Sequence, residues 1–141
     1  MTQHQIMKVL LVDKTDKSLE AIQSILEKIK EIALVAVAKD YLTAHKLTRE
    51  LKPDIIIMDI NSSDFQFEKI LKQLINVIPN VKIITMSLYS DSRYVLRALN
   101  AGASGYMLKD RAYEELATAI RVITSNKTYI SPGIAGIVKE K

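Results

Sequence analysis

Four polar residues each close a short apolar run: Asp13 after Val9–Val12, Asp59 after Ile55–Met58, Ser87 after Ile83–Met86 and Lys109 after Tyr106–Leu108. A carboxylate at the end of a buried strand can attack phosphorus and form an acyl phosphate. Phosphoryl transfer then needs little beyond positioning and positive charge for the equatorial oxygens. A lysine such as Lys109 supplies that charge, and a hydroxyl such as Ser87 can hydrogen-bond a phosphoryl oxygen. Mg2+, a hard cation, would be held by the remaining carboxylate, a backbone carbonyl and water. Taken singly, each residue is an ordinary loop start. Four compatible residues at four run ends form a candidate site.

The elements that would bring these residues together follow from periodicity. Together with Ala33–Ala38, the runs make five near-continuous apolar segments rather than alternating ones. That pattern marks strands covered on both faces, as in a parallel sheet. Between them lie helical faces: Leu19, Ile22, Ile25, Leu26 and Ile29; Tyr41, Ala44, Leu47 and Leu51; Phe67, Ile70, Leu71, Leu74 and Ile75; Val95, Leu96 and Leu99; Leu116, Ile120 and Ile123. Thr15 or Asp16, Asp40, Asp64, Ser90 or Asp91, and Asp110 can each cap a helix start. Strand–helix alternation implies parallel strands joined by right-handed crossovers. Five such units predict an α/β, flavodoxin-like, doubly wound five-stranded sheet in the order 2-1-3-4-5, with helices on both faces. A closed eight-stranded barrel would need about 250 residues, and this chain has 141. In the open sheet the ligand site lies beyond the carboxyl ends of the strands, at the switch point in strand order. Strands 1 and 3 are neighbours there, which sets Asp13 beside Asp59.

Composition narrows the function classes. Hydrophobic content of 48% with 26% charged residues describes a globular chain. The absence of cysteine removes disulfides, thiolate metal sites and cysteine nucleophiles. The opening MTQHQIMK is too short and polar for a signal peptide, and the longest apolar run, residues 32–38, is too short to span a membrane. A cytoplasmic chain without membrane attachment is expected. The net charge of +4 is spread over scattered basic residues, as on a solvated surface. No GxxxxGK loop or glycine-rich turn supports nucleotide chemistry. His4 lies in a terminal tail and His45 mid-helix, so neither is placed as a general base. After residue 125, Ser131-Pro132 is a helix-start signal, and Ile134, Ile137 and Val138 begin an apolar stripe. The expected organisation is a domain over 1–125 and a connector or linker helix over 126–141.

The chain resembles the receiver domain of two-component response regulators over about residues 6–125, and is CheY-like in fold. The resemblance is carried by "IIIMDI" around Asp59 and by "VLRALNAGASGYMLKD" at 95–110. With "AYEEL" and "TYISP" further on, the likeness extends to the subfamily with a LuxR/FixJ-type helix-turn-helix output domain. It implies phosphorelay signal transduction tied to transcription regulation. Asp59 matches the phospho-acceptor and Ser87 the switch hydroxyl. Lys109 matches the lysine that pairs with the phosphoryl group. Tyr106 matches the aromatic switch residue whose ring turns inward; the plainer role for a tyrosine on an edge strand is half-buried packing. Asp13 matches the first of two acids that organise Mg2+, and Asn61 the position whose backbone carbonyl ligates it. The implied donor is a histidine kinase or phosphotransfer protein. Homodimerisation is implied, and DNA binding only through an output domain that this chain lacks. Such a domain is not an enzyme beyond self-catalysed phosphoryl transfer.

The pattern breaks at Lys14, which stands where the family carries its second, metal-binding acid. Asp13, Lys14, Asp59 and Lys109 sum to zero charge, against −2 with an acid at position 14. A unit charge about 4 Å from another is worth roughly 4 kcal/mol at an effective dielectric of 20, and a dication doubles that. Mg2+ binding should therefore be weak. After Asp59, Ser63 and Phe67 replace the family's proline and glycine, and bulky Leu88 beside Ser87 can shield the phosphoryl site. Two functions fit these residues. One is a phospho-acceptor with little metal dependence, Lys14 partly standing in for the cation. The other is a phosphorylation-independent pseudo-receiver, an interaction module in which Lys14 pairs with Asp59 or Asp13.

Overall fold

Alternation inside each apolar run divides it between two cores. In this computed structural model, which describes residues 6–60, 66–88 and 92–134, one core gathers Val9, Leu11, Ile55, Ile57, Ile84, Met86 and Met107. The opposite core gathers Leu10, Val12, Ile56, Met58, Ile83 and Tyr106. Successive strand side chains point to opposite faces, so a run apolar at every position is what a sheet covered on both sides requires.

The strands are β1 (Met7–Val12), β2 (Ile32–Ala38), β3 (Ile55–Asp59), β4 (Lys82–Ser87), β5 (Gly105–Leu108) and β6 (Tyr129–Ile130). The helices are α1 (Asp16–Glu27), α2 (Tyr41–Leu51), α3 (Phe67–Val77), α4 (Ser92–Asn100) and α5 (Ala112–Thr124). Residues of α1 and α5 pack on the first core and those of α2, α3 and α4 on the second. Each large aliphatic side chain so buried contributes about 1.5–3 kcal/mol.

All strand pairs are parallel, in the order β2-β1-β3-β4-β5-β6. The expected sheet of five strands is thus extended by a sixth. β6 pairs Gly105 with Tyr129 and Tyr106 with Ile130, so β5 is not an edge. Two residues are too few for a hydrophobic period, which is why the sequence pattern does not reveal β6. What makes it possible is a reversal after α5. Asn126 takes φ +63, and Asn126 and Lys127 donate their N–H groups to Ile123 and Val122. These two bonds close the end of the helix around a left-handed residue. Gly105 completes the fit, because a Cβ there would lie 3.2 Å from the Tyr129 carbonyl oxygen. At the other edge, β2 is less covered than its apolar run implies: the register to β1 slips between Val9 and Leu10, and Val35 is exposed.

Helix starts follow the cap expectations in part. Thr15 takes the N-cap position of α1 without a side-chain cap bond, and Asp40 caps α2 by accepting the Thr43 N–H. α5 is not capped by Asp110, which lies in a short 3₁₀ turn, Lys109–Arg111; Arg111 is the N-cap instead, with no side-chain cap bond. Gln66 precedes α3, while Asp64, Ser90 and Asp91 lie outside the described residues.

The "NAGA" stretch before β5 has a direct structural reason. α4 ends with Gly102 at φ +108, and Gly102 and Ala103 donate to the carbonyls of Leu99 and Ala98. A Cβ at Gly102 would meet Ile75 Cδ1 at 2.5 Å. Gly102→Ala is therefore expected to cost about 1–3 kcal/mol, read as a lower urea midpoint; an unchanged midpoint would show that the turn tolerates a side chain.

Candidate functional site

The parallel register sets the site residues along one edge of the sheet. Val12 pairs with Met58, which puts Asp13 beside Asp59. Asp59 pairs with Met86, so Ser87 lies one residue beyond, and Ser87 pairs with Leu108, so Lys109 lies one beyond that. The four residues singled out from the sequence do lie at adjacent strand ends.

Lys109 ties them together. Its Nζ lies 2.9 Å from Asp59 Oδ2 and 3.4–3.5 Å from the two Asp13 carboxylate oxygens. Asp13 is buried, and both its oxygens are oriented: Oδ1 accepts the Thr15 N–H at 3.0 Å and Oδ2 accepts the Ser18 hydroxyl at 2.6 Å. Sequence reasoning missed Ser18. Its signal was the spacing of five residues from Asp13, which returns the first turn of α1 over the end of β1. Burial raises the Asp59 carboxyl above its ordinary value; the Lys109 hydrogen bond and charge pull it down, the Asp13 charge pushes it up, and Lys14 pulls it down least.

Lys14 is exposed, and its Nζ lies over the Tyr41 ring, 4.6 Å from the centroid, within cation–π range. Among the described residues, the ion pair at Asp59 is with the Lys109 ammonium. The pseudo-receiver, in which Lys14 would occupy that place, gains no support from this arrangement. Ser87 and Tyr106 are both buried, Tyr106 completely. With β6 beside it, Tyr106 is an interior-strand residue rather than a half-buried edge one. Leu88, next to Ser87, is 67% exposed. Asn61 and Ser63 lie outside the described residues.

The donor set suits a hard cation in chemistry. Asp13 and Asp59 offer oxygen ligands of the right kind, and Lys109 already shows that positive charge is stabilised between them. Among the described residues no third acid or histidine joins them into a metal-binding group. The site therefore fits Mg2+ in ligand type, with water left to complete the shell.

The raised Asp59 value has a consequence for stability. Its folded-state value lies above its unfolded one, so the folded protein holds more protons through that window. Stability falls as pH rises through it and stays lower above. Asp59→Asn is expected to raise the urea midpoint at pH 7, the gain shrinking as pH falls through the carboxylate range. A lower midpoint at pH 7 would mean that the Lys109 ion pair outweighs the burial of the charge.

Comparison with known proteins agrees with this geometry. Residues 9–121 match the family model of the response regulator receiver domain. The chain is 31% identical over 134 residues to the transcriptional regulatory protein DegU of Brevibacillus brevis, covering 94% of this chain and 57% of that one. It is 33% identical over 130 residues to the response regulator GacA of Pseudomonas aeruginosa, covering 92% of this chain and 61% of that one. The chain thus spans about three-fifths of the length of these relatives. A LuxR-family two-component response regulator from Aurantimonas sp. SI85-9A1 superposes with a TM-score of 0.89 at 29% identity, over 96% of this chain and 97% of that one. No described helix is long and apolar enough to cross a membrane. The chain belongs to the receiver-domain family of two-component response regulators.

Proposed function

We propose that the chain works as a phospho-acceptor switch with Asp59 as the residue modified. The observation that carries this is the Asp59 carboxylate at the end of β3, held 2.9 Å from the Lys109 ammonium at the edge where the strand ends converge. A carboxylate oxygen of Asp59 attacks the phosphorus of a phosphohistidine on a kinase or phosphotransfer protein. The P–N bond breaks, the acyl phosphate forms, and the departing imidazole nitrogen takes a proton from solvent. Lys109 offsets the added negative charge. Ser87, buried at the end of β4, supplies a hydroxyl to a phosphoryl oxygen, and Tyr106 on the neighbouring strand follows its movement. The chain is modified once per event and turns over no substrate of its own beyond this self-catalysed step.

Asp13 and Asp59 would hold Mg2+, with the Asn61 carbonyl as the third protein ligand implied by the family. Bound there, the ion would neutralise the phosphoryl oxygens. Lys14 makes the four charged groups neutral overall, so the metal site is weak and the reaction depends little on it. Likeness to the transcriptional regulatory protein DegU supports coupling to transcription; DNA contacts outside this domain and pairing between copies are what the family resemblance implies.

Incubation with a small phosphodonor such as acetyl phosphate, with and without Mg2+, followed by intact mass, is expected to give one phosphoryl adduct, absent in Asp59→Asn. No adduct under either condition would refute the acceptor role. Lys14→Asp is expected to strengthen Mg2+ binding, measured by calorimetry, by about tenfold or more. Unchanged affinity would mean that the Lys14 charge, drawn towards Tyr41, does not act on the metal site.

A further inference from the structure

A second buried polar cluster lies behind the lysine. Glu115 on α5 is buried, and its Oε1 accepts hydrogen bonds from the Tyr129 hydroxyl at 2.7 Å and the Ser131 hydroxyl at 2.6 Å. The Ser131 hydroxyl oxygen in turn accepts the Leu108 N–H at 2.9 Å, and the Ser131 N–H donates to the Tyr106 carbonyl at 3.1 Å. On the other side of the lysine, Arg111 Nε lies 3.5 Å from Glu115 Oε2. Glu115 therefore grips both flanks of Lys109: Leu108, through Ser131, and Arg111 directly.

The segment after α5 is fastened to this cluster across the sheet. Tyr129 packs in the core under α1 and α5, and Ile134 is wholly buried in the opposite core with Tyr106. Ser131 was expected to cap the helical turn that begins at residue 132. Its carbonyl does accept the Ile134 N–H at 3.0 Å, but its hydroxyl is committed to Glu115 and Leu108. A solvent-facing cap would need no buried acid. A buried carboxylate taking two hydroxyl donors on one oxygen is costly to assemble and keeps its geometry only while both donors stay in place.

We infer that Glu115 is a positioning residue that latches segment 126–134 to the lysine-bearing end of β5, and that this segment thereby reports the state of Asp59. The inference rests on the acceptor role of Asp59. Converting Asp59 from a carboxylate to an acyl phosphate adds negative charge opposite Lys109. Any displacement of Lys109 passes through one peptide to the Leu108 N–H and so to Ser131. Coupling of this kind is reciprocal: if the occupied site shifts the latch, loosening the latch must shift affinity at the site by the same factor.

The test uses beryllofluoride, a phosphoryl mimic, on the whole chain with Mg2+. Bound mimic is read by fluorine NMR, and amide hydrogen exchange is followed over residues 108 and 126–134. Saturation is expected to change protection at Leu108 and Ser131 by about fivefold or more. Ser131→Ala is expected to abolish that change and shift mimic affinity by about the same factor. Should Ser131→Ala fold poorly, Tyr129→Phe removes a single donor and should give a smaller shift of the same sign. Glu115→Gln, which keeps an accepting carbonyl, should recover part of the coupling that Glu115→Ala loses. Mimic bound with unchanged protection would overturn the latch while leaving the acceptor role intact. So would latch variants that lose urea stability yet bind the mimic like the parent, since that is the result of a purely structural role. Absence of both bound mimic and a phosphate adduct would bring down the acceptor role, and the latch inference with it.

Discussion

Two carboxylates at the ends of adjacent parallel strands need a cation between them. The register of β1 and β3 puts Asp13 and Asp59 side by side, one buried and the other largely so. Neither can leave without dismantling the strand order. Their repulsion and desolvation are offset in part by one ammonium, Lys109. Lys109 reaches them because β5 ends level with β4, and the turn that carries it is flanked by the contact of Arg111 with Glu115. An isolated buried charge is expensive and a partnered one tolerable; the edge of the sheet is arranged around that difference.

Lys14 alters this balance without displacing it. A strand-end lysine beside two aspartates could have collapsed onto them and closed the site as a static ion cluster. The structure gives it the Tyr41 face at the start of α2, and its charge is the weakest of the influences on Asp59. The contact between Asp59 and Lys109 stands with Lys14 beside it. On the proposed acceptor reading, Lys14 takes the place of a metal-binding carboxylate, and that substitution is compatible with phosphoryl transfer because positioning and electrostatic neutralisation are separable contributions.

The segment after α5 packs onto the sheet. Residues 129–134 add a strand, bury Tyr129 and Ile134 on opposite faces and close a hydrogen-bond network around Glu115. Among the described residues no buried side-chain nitrogen or oxygen lacks a hydrogen-bond partner, so this network is fully satisfied rather than a tolerated defect. Burial of Tyr129, followed by its hydrogen bond to Glu115, raises its phenol well above the ordinary tyrosine value.

The sequence by itself determined the alternation of strands and helices, the two-sided cores and the four polar strand ends. Each of these is a local pattern: apolar period, cap residue, first polar residue after a buried run. The contiguous stretches around Asp59 and at 95–110 carried the family resemblance, and Lys14 stood out as a departure from it. Only the tertiary structure decided where long side chains went. Lys14 could reach several groups, and packing of α2 beside β1 brings the Tyr41 ring under its ammonium. Ser18 became a ligand of Asp13 only when α1 returned over β1. The pairing of Glu115 with Ser131 and Tyr129, and the sixth strand that delivers them, depends on a chain reversal at Asn126. No periodicity encodes such contacts, since they join residues from separate elements through distances that exist only once the sheet is assembled.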